Sequence, residues 1–228
     1  MENKKNQLSI AIAIIIAGAV IAGAVFLSKT KVPTAPTPKP GTEAPATIKP
    51  VSSTDFIQGN PNSKVVMIEY ADFQCPYCGR FFSGTIQPIE KNYVETGKIA
   101  YVYRDFAFLG PESEKSAEAA SCANDQGKYW QYHDYLFTHQ NGENQGNFSD
   151  TNLKAFAKTL SLNTDQFNTC LDSGKYTQAI KDSTAEGAAI GVNGTPHSFI
   201  LKDGKVVSEI NGAYPLADVT AKIDAALK

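Results

Sequence analysis

At 228 residues the chain suffices for one large domain or two small ones, and its four cysteines are too few for a dense disulfide scaffold. A net charge of −2 and a pI near 5.9 exclude the global basic field that gathers nucleic acid, so no nucleic-acid partner is expected. Each cysteine therefore needs its own explanation.

Residues 8–27 read LSIAIAIIIAGAVIAGAVFL, twenty residues without a charge. At about 1.5 Å per residue a helix of that length spans roughly 30 Å, the hydrocarbon thickness of a bilayer. The stretch predicts a transmembrane anchor, with residues 1–7 on the cytoplasmic side. A cleaved signal peptide is the alternative, since Ala22-Gly23-Ala24 resembles a small-residue cleavage site, but such signals carry an apolar region of only about 7–15 residues. Lys4 and Lys5 precede the segment and Lys29 and Lys31 follow it, so flanking charge does not decide orientation. Either reading exports the remainder, tethered at the membrane or released, into a compartment where disulfides persist. Residues 28–50 hold six prolines and almost no large apolar side chain, which predicts an extended linker and a folded domain from residue 51.

Within that domain, KVVMIEY (Lys64–Tyr70) follows a turn cluster and reads as a buried strand. A helix is expected to open at the Cys75-Pro76-Tyr77-Cys78 motif, with Pro76 at its first position, a kink near Pro88 and a stop at Gly97. Ile99–Phe106 reads as a second strand, so strand, helix and strand form a parallel βαβ unit. Five helices follow, over Glu112–Gln126, Tyr129–Thr138, Asp150–Leu160, Thr164–Ser173 and Tyr176–Ile190, an insertion at about 112–190. HSFILKDGKVVSEING then predicts a hairpin turning at Asp203-Gly204, and PLADVTAKIDAALK an amphipathic closing helix. Aromatics from Tyr129 to Phe137 fall at helical spacing and are assigned to the core. Phe73, Phe81 and Phe82 fit either the core or an apolar surface.

The Cys75/Cys78 pair admits three chemistries. Zinc needs a second close pair, and Cys122 and Cys170 stand alone with no histidine pair at ligand spacing. A structural disulfide over so short a loop constrains the unfolded chain little. Redox exchange needs an accessible thiolate, and a cysteine at a helix start meets unpaired N–H groups and a favourable dipole. Cys75 is therefore expected to attack and Cys78, one turn further in, to resolve. In an exported chain the two remaining cysteines, Cys122 and Cys170, suggest a disulfide; free buried thiols are the alternative.

A strand, a CPYC motif opening a helix, and a distant Thr195-Pro196 before a returning hairpin resemble the thioredoxin superfamily. The helical block, with CANDQGKYWQYHDYLF and GVNGTPHSFI, is similar to its DsbA-like branch of extracytoplasmic thiol oxidoreductases, over residues 51–228. The resemblance implies a thioredoxin fold with an all-helical insertion, a cis-proline at Pro196 preceded by Thr195, and a buried acid, Glu69, relaying protons to Cys78. It also implies reduced or unfolded exported proteins as substrates, a DsbB-like or vitamin K epoxide reductase-like quinone-linked membrane partner, and no cofactor or metal beyond the redox disulfide. For Glu69 a solvent-facing strand position is the alternative. The dipeptide Pro76-Tyr77 departs from the Pro-His of strongly oxidising relatives and leaves the direction of electron flow open. His197 is a candidate source of the missing positive charge beside the cysteines, or else a polar strand residue.

Overall fold

The computed structural model describes residues 47–228; the expected anchor and most of the linker lie outside them. Among the described residues no helix is long and apolar enough to cross a membrane.

The strands are β1 (Phe56–Gln58), β2 (Val65–Ala71), β3 (Ala100–Asp105), β4 (His197–Lys202) and β5 (Lys205–Asn211), joined in the order β1-β3-β2-β4-β5. β2 and β3 pair in parallel and the other neighbours antiparallel. β2 and β3 are buried along their whole length, which is why their sequences are continuously apolar rather than alternating. The three-residue β1 is too short for a periodic signal and was not expected from the sequence. Asp203 and Gly204 both take positive φ, +50° and +75°, as the two-residue β4–β5 turn requires.

One helical run, 76–94, returns from the end of β2 along the sheet and is called α1. It begins as an α-helix (Pro76–Phe81), widens into a π-helix (Phe82–Ile86), tightens over Gln87–Ile89 and widens again over Glu90–Val94. Pro88 cannot donate the intrahelical hydrogen bond, and the helix widens into π turns on both sides of it, near where the sequence predicts a kink. The insertion comprises α2 (Pro111–Asn124), α3 (Tyr129–Thr138), α4 (Asp150–Thr159), α5 (Thr164–Asp172) and α6 (Thr177–Ala189), within two residues of the expected bounds, and α7 (Leu216–Leu227) closes the chain.

Alternation along β2 divides the core in two. Met67 and Ala71 face α1, α7 and the insertion in one apolar cluster, together with Phe73, Phe81 and Phe82, which are thereby core residues. Val66, Ile68 and Tyr70 face a second cluster with Phe106, Val192 and Phe199. On that second face α6 comes so near the sheet that a Cβ on Gly187 would meet the Phe106 ring at 2.7 Å. A disulfide joins Cys122 of α2 to Cys170 of α5, with Cα atoms 5.9 Å apart.

The chain enters the domain through a clamp. Arg104, buried at the end of β3, donates to Asp55 at 2.8 and 3.2 Å, to Glu186 of α6 at 3.0 Å, to the Tyr70 hydroxyl at 3.0 Å and to the Lys49 carbonyl at 3.1 Å.

Candidate active site

β2 delivers the chain to Cys75, which caps α1 in an extended conformation (φ −68°, ψ 118°) ahead of Pro76 at the first helical position. This puts the Cys75 thiol at the helix's exposed N–H groups, while Cys78 lies one turn deeper and fully buried. Both thiols are free. Facing them, the Thr195–Pro196 peptide is cis and leads into β4, the antiparallel neighbour of β2. The Cys75 thiol donates to the Thr195 carbonyl at 3.4 Å.

The two thiols differ strongly in acidity. Hydrogen bonding from Cys78, opposed by burial and reinforced by Thr195 and the N–H groups of Cys78 and Tyr77, lowers the Cys75 pKa to about 6. Its leading causes are hydrogen bonds rather than a neighbouring cation. Burial and the nearby Cys75 push Cys78 well above the ordinary thiol range. At neutral pH one sulfur is a thiolate and the other keeps its proton.

Glu69 stands on β2 on the same sheet face as the cysteines and is 2% exposed. The Tyr101 hydroxyl donates to its Oε2 at 2.7 Å. Burial, the dominant cause, lifts its pKa to about 8. It thus sits inside the protein, unlike the solvent-facing alternative read from the sequence. His197 does not lie beside the cysteines. It pairs with Tyr70 in the β2–β4 register and so points to the second face, stacking on Phe199 at 4.8 Å and meeting Glu209 Oε1 at 2.8 Å. Tyr77 is 56% exposed and carries the Arg80 guanidinium 4.4 Å from its ring centre. His133 is fully buried among aromatic rings.

Several residues that shape the motif were not found from the sequence. Asp72 accepts hydrogen bonds from the Gln74 N–H, the Ser113 hydroxyl and the N–H groups of Phe108 and Leu109, at 2.7–3.2 Å, tying the turn before Cys75 to the start of α2. Gln140 donates to the carbonyls of Phe73 and Cys75, and its amide lies against Gly79, so that a side chain added there would push it aside. An acid just past a buried strand was a usable signal for Asp72. Gln140 sits in a polar loop that has none. Among the described residues no group of three or more His, Cys, Asp or Glu side chains is placed to hold a metal ion.

Residues 51–225 match the thioredoxin family model. The chain belongs to that family. This thioredoxin-family chain superposes on the crystal structure of Wolbachia pipientis alpha-DsbA1 with a TM-score of 0.70 at 28% identity, covering 78% of this chain and 92% of that one. BdbD from Bacillus subtilis gives the same TM-score at 20% identity, over 78% and 95% of the two chains, a likeness of fold. In sequence it is 25% identical to a Rickettsia bellii protein named as a protein-disulfide oxidoreductase, over 78% of this chain and 66% of that protein. It is also 29% identical to a Na(+)/H(+) antiporter NhaA 1 of Salinispora arenicola, over 75% of this chain, but it spans only about a quarter (24%) of that relative's length. The family's thioredoxin-like fold with a helical insertion is thus DsbA-like in this chain.

Proposed function

We propose that this chain is an extracytoplasmic thiol:disulfide oxidoreductase, anchored by residues 8–27, that introduces disulfides into exported proteins. The observation that carries this reading is the placement of the thiols, Cys75 at the start of α1 against the cis Thr195–Pro196 peptide and Cys78 buried one turn deeper, an arrangement that lowers the pKa of Cys75 to about 6 and raises that of Cys78. A thiolate stable at neutral pH stabilises the reduced form and makes the disulfide a better oxidant. The DsbA-like neighbours support the same class of chemistry.

In this mechanism a substrate thiolate attacks Cys75 of the Cys75–Cys78 disulfide, and Cys78 leaves with the bonding electron pair. Glu69 supplies the proton that the buried Cys78 sulfur needs. A second substrate thiolate then attacks the substrate sulfur of the mixed disulfide, releasing Cys75 as its stable thiolate and the substrate as a disulfide. The cis Thr195–Pro196 bond holds backbone against the reacting sulfur. Tyr77 and Phe108, both exposed, border the site as apolar contact for an unfolded chain. No cofactor is required; a quinone-linked membrane partner of the DsbB-like or vitamin K epoxide reductase-like type would restore the disulfide.

Cys75→Ser should abolish oxidation of a reduced test protein while leaving its binding intact. Equal oxidation by variant and wild type would sink the enzymatic reading in favour of a non-catalytic adaptor. A redox titration fixes direction: a potential near about −120 mV supports the oxidase, one near about −270 mV a reductase or isomerase.

A further inference from the structure

A second carboxylic acid, unused in the mechanism above, lies along the same line of side chains. Glu90 opens the second π-helical stretch of α1 and is half-buried, with Oε1 sealed from solvent and without a hydrogen-bond partner. Its position follows from packing. Val94, one turn further on, lies against Gly59 just past β1, where an added Cβ would come within 2.7 Å of Val94 Cγ1. Glu90 therefore stands one turn closer to the cysteines on that same side. The residue before Gly59 is Gln58, directly opposite Tyr101 in the β1–β3 register, and its Oε1 is also sealed and unpartnered. Tyr101 in turn donates to Glu69. The 90–94 stretch of α1 packs against β3, the strand that carries Tyr101, so Glu69, Tyr101, Gln58 and Glu90 lie on the same side of the sheet.

We propose that Glu90 is the outer member of a proton path, Glu90–Tyr101–Glu69, which refills Glu69 from solvent whenever Cys78 changes oxidation state. The proposal rests on the dithiol–disulfide reading above and extends it. When Cys78 leaves as a thiolate, it takes the proton of Glu69. The Tyr101 hydroxyl, already oriented at Glu69 Oε2, passes its proton inward and receives one from Glu90, directly or across one water seated against the unpartnered oxygens of Gln58 and Glu90. Solvent then reprotonates Glu90. Reoxidation of the dithiol sends the proton outward by the same route, and the oxidising equivalent throughout is the disulfide.

The surroundings suit an acid that holds its proton. The charged groups acting on Glu90 are Asp134 of α3 and Glu95 just past the end of α1, with Glu69 and Tyr101 on the inner side, and β1 contributes only the neutral Gln58. His133, hydrogen-bonded to Asp134, is kept from charging by burial. With burial the larger cause, Glu90 reaches a pKa of about 8, as Glu69 does, so both acids carry a proton at neutral pH.

The test follows reduction of the Cys75–Cys78 disulfide by dithiothreitol in quenched flow, using the full chain in detergent between pH 6 and 9. Each variant is expressed as a ratio to wild type, so the titration of the reductant cancels. Glu90→Gln and Tyr101→Phe should each slow reduction about tenfold, less than the roughly 10²–10⁴-fold of a group that transfers the proton directly because each acts one step removed, with a ratio that changes through pH 8. Glu69→Gln should slow it at least as much. Urea transitions show whether each variant is folded. A flat ratio near one for Glu90→Gln overturns the proposal. So does a slow Glu90→Gln beside a wild-type Tyr101→Phe, which would leave Glu90 acting through charge alone. If Glu69→Gln also matches wild type, it is the proton role of Glu69 that fails.

Discussion

Two sulfurs one helical turn apart differ in acidity because one accepts hydrogen bonds, from Cys78 above all and then from Thr195 and the helix's first N–H groups, while the other is buried. The partner that lowers Cys75 most is Cys78 itself, whose thiol hydrogen is available because burial keeps it on the sulfur. A histidine in the dipeptide is therefore not the only means of stabilising the thiolate, and Tyr77 is compatible with an acidic Cys75. Glu69 carries the complementary cost. Its folded-state pKa near 8 lies above the ordinary 4.5, so the native protein keeps a proton that the unfolded chain releases between those values. Stability from this group is complete below about pH 4.5 and is lost as pH rises through 8. In the oxidised protein, where neither active-site thiol titrates, Glu69→Gln should lose less stability than wild type between pH 5 and 9, by at least about 1 kcal/mol. Urea unfolding at both pH values checks this, and equal losses would mean that Glu69 titrates as an ordinary carboxylate.

At the scale of elements, what was legible in the sequence depended on the length of the signal. β2, β3, the hairpin and all five inserted helices announced themselves through runs, caps and turn residues. β1 did not, because three residues hold no period. Pro88 advertised a break in α1, but whether the chain would kink or widen depends on the tertiary packing of Ile86 and Ile89, which sequence does not display. The cysteine motif could be read because a buried strand leads into a helix start; the proline loop and Glu69 came only through the family resemblance that this element order supports. Gln140 and the side to which His197 points could not, since one depends on a loop path and the other on strand register. The insertion's own bond is testable at this scale. Cys122 and Cys170 close a loop of 48 residues between α2 and α5, worth about 4 kcal/mol on a chain-entropy account. Replacing both by alanine should lower unfolding stability by about 2–4 kcal/mol, measured by denaturant titration, and leave the pH dependence of Cys75 alkylation in place. A loss under about 1 kcal/mol would show that helix packing alone sets this geometry.

At the scale of the molecule, the domain has two faces with different work. One holds the thiols, Glu69 and the polar line to β1; the other holds Tyr70, Phe199 and the incoming chain. Arg104 belongs to this second face, and removing a partner from such a buried ion pair commonly costs about 3–5 kcal/mol. Its consequence is mechanical. If the proposed anchoring and thiol exchange hold, the domain will at times be tugged, and tension applied ahead of residue 47 would reach Arg104 before it reaches the sheet. The fork to Asp55 and the grip on the Lys49 carbonyl make this residue the first bolt under load. In single-molecule pulling from the N-terminal side, Arg104→Lys, which keeps the charge but loses the fork, should peel residues 47–58 at lower force than wild type. An unchanged rupture force would place the bolt elsewhere. If the expectation holds, the turn that carries the cysteines stays rigid while the incoming chain is under load.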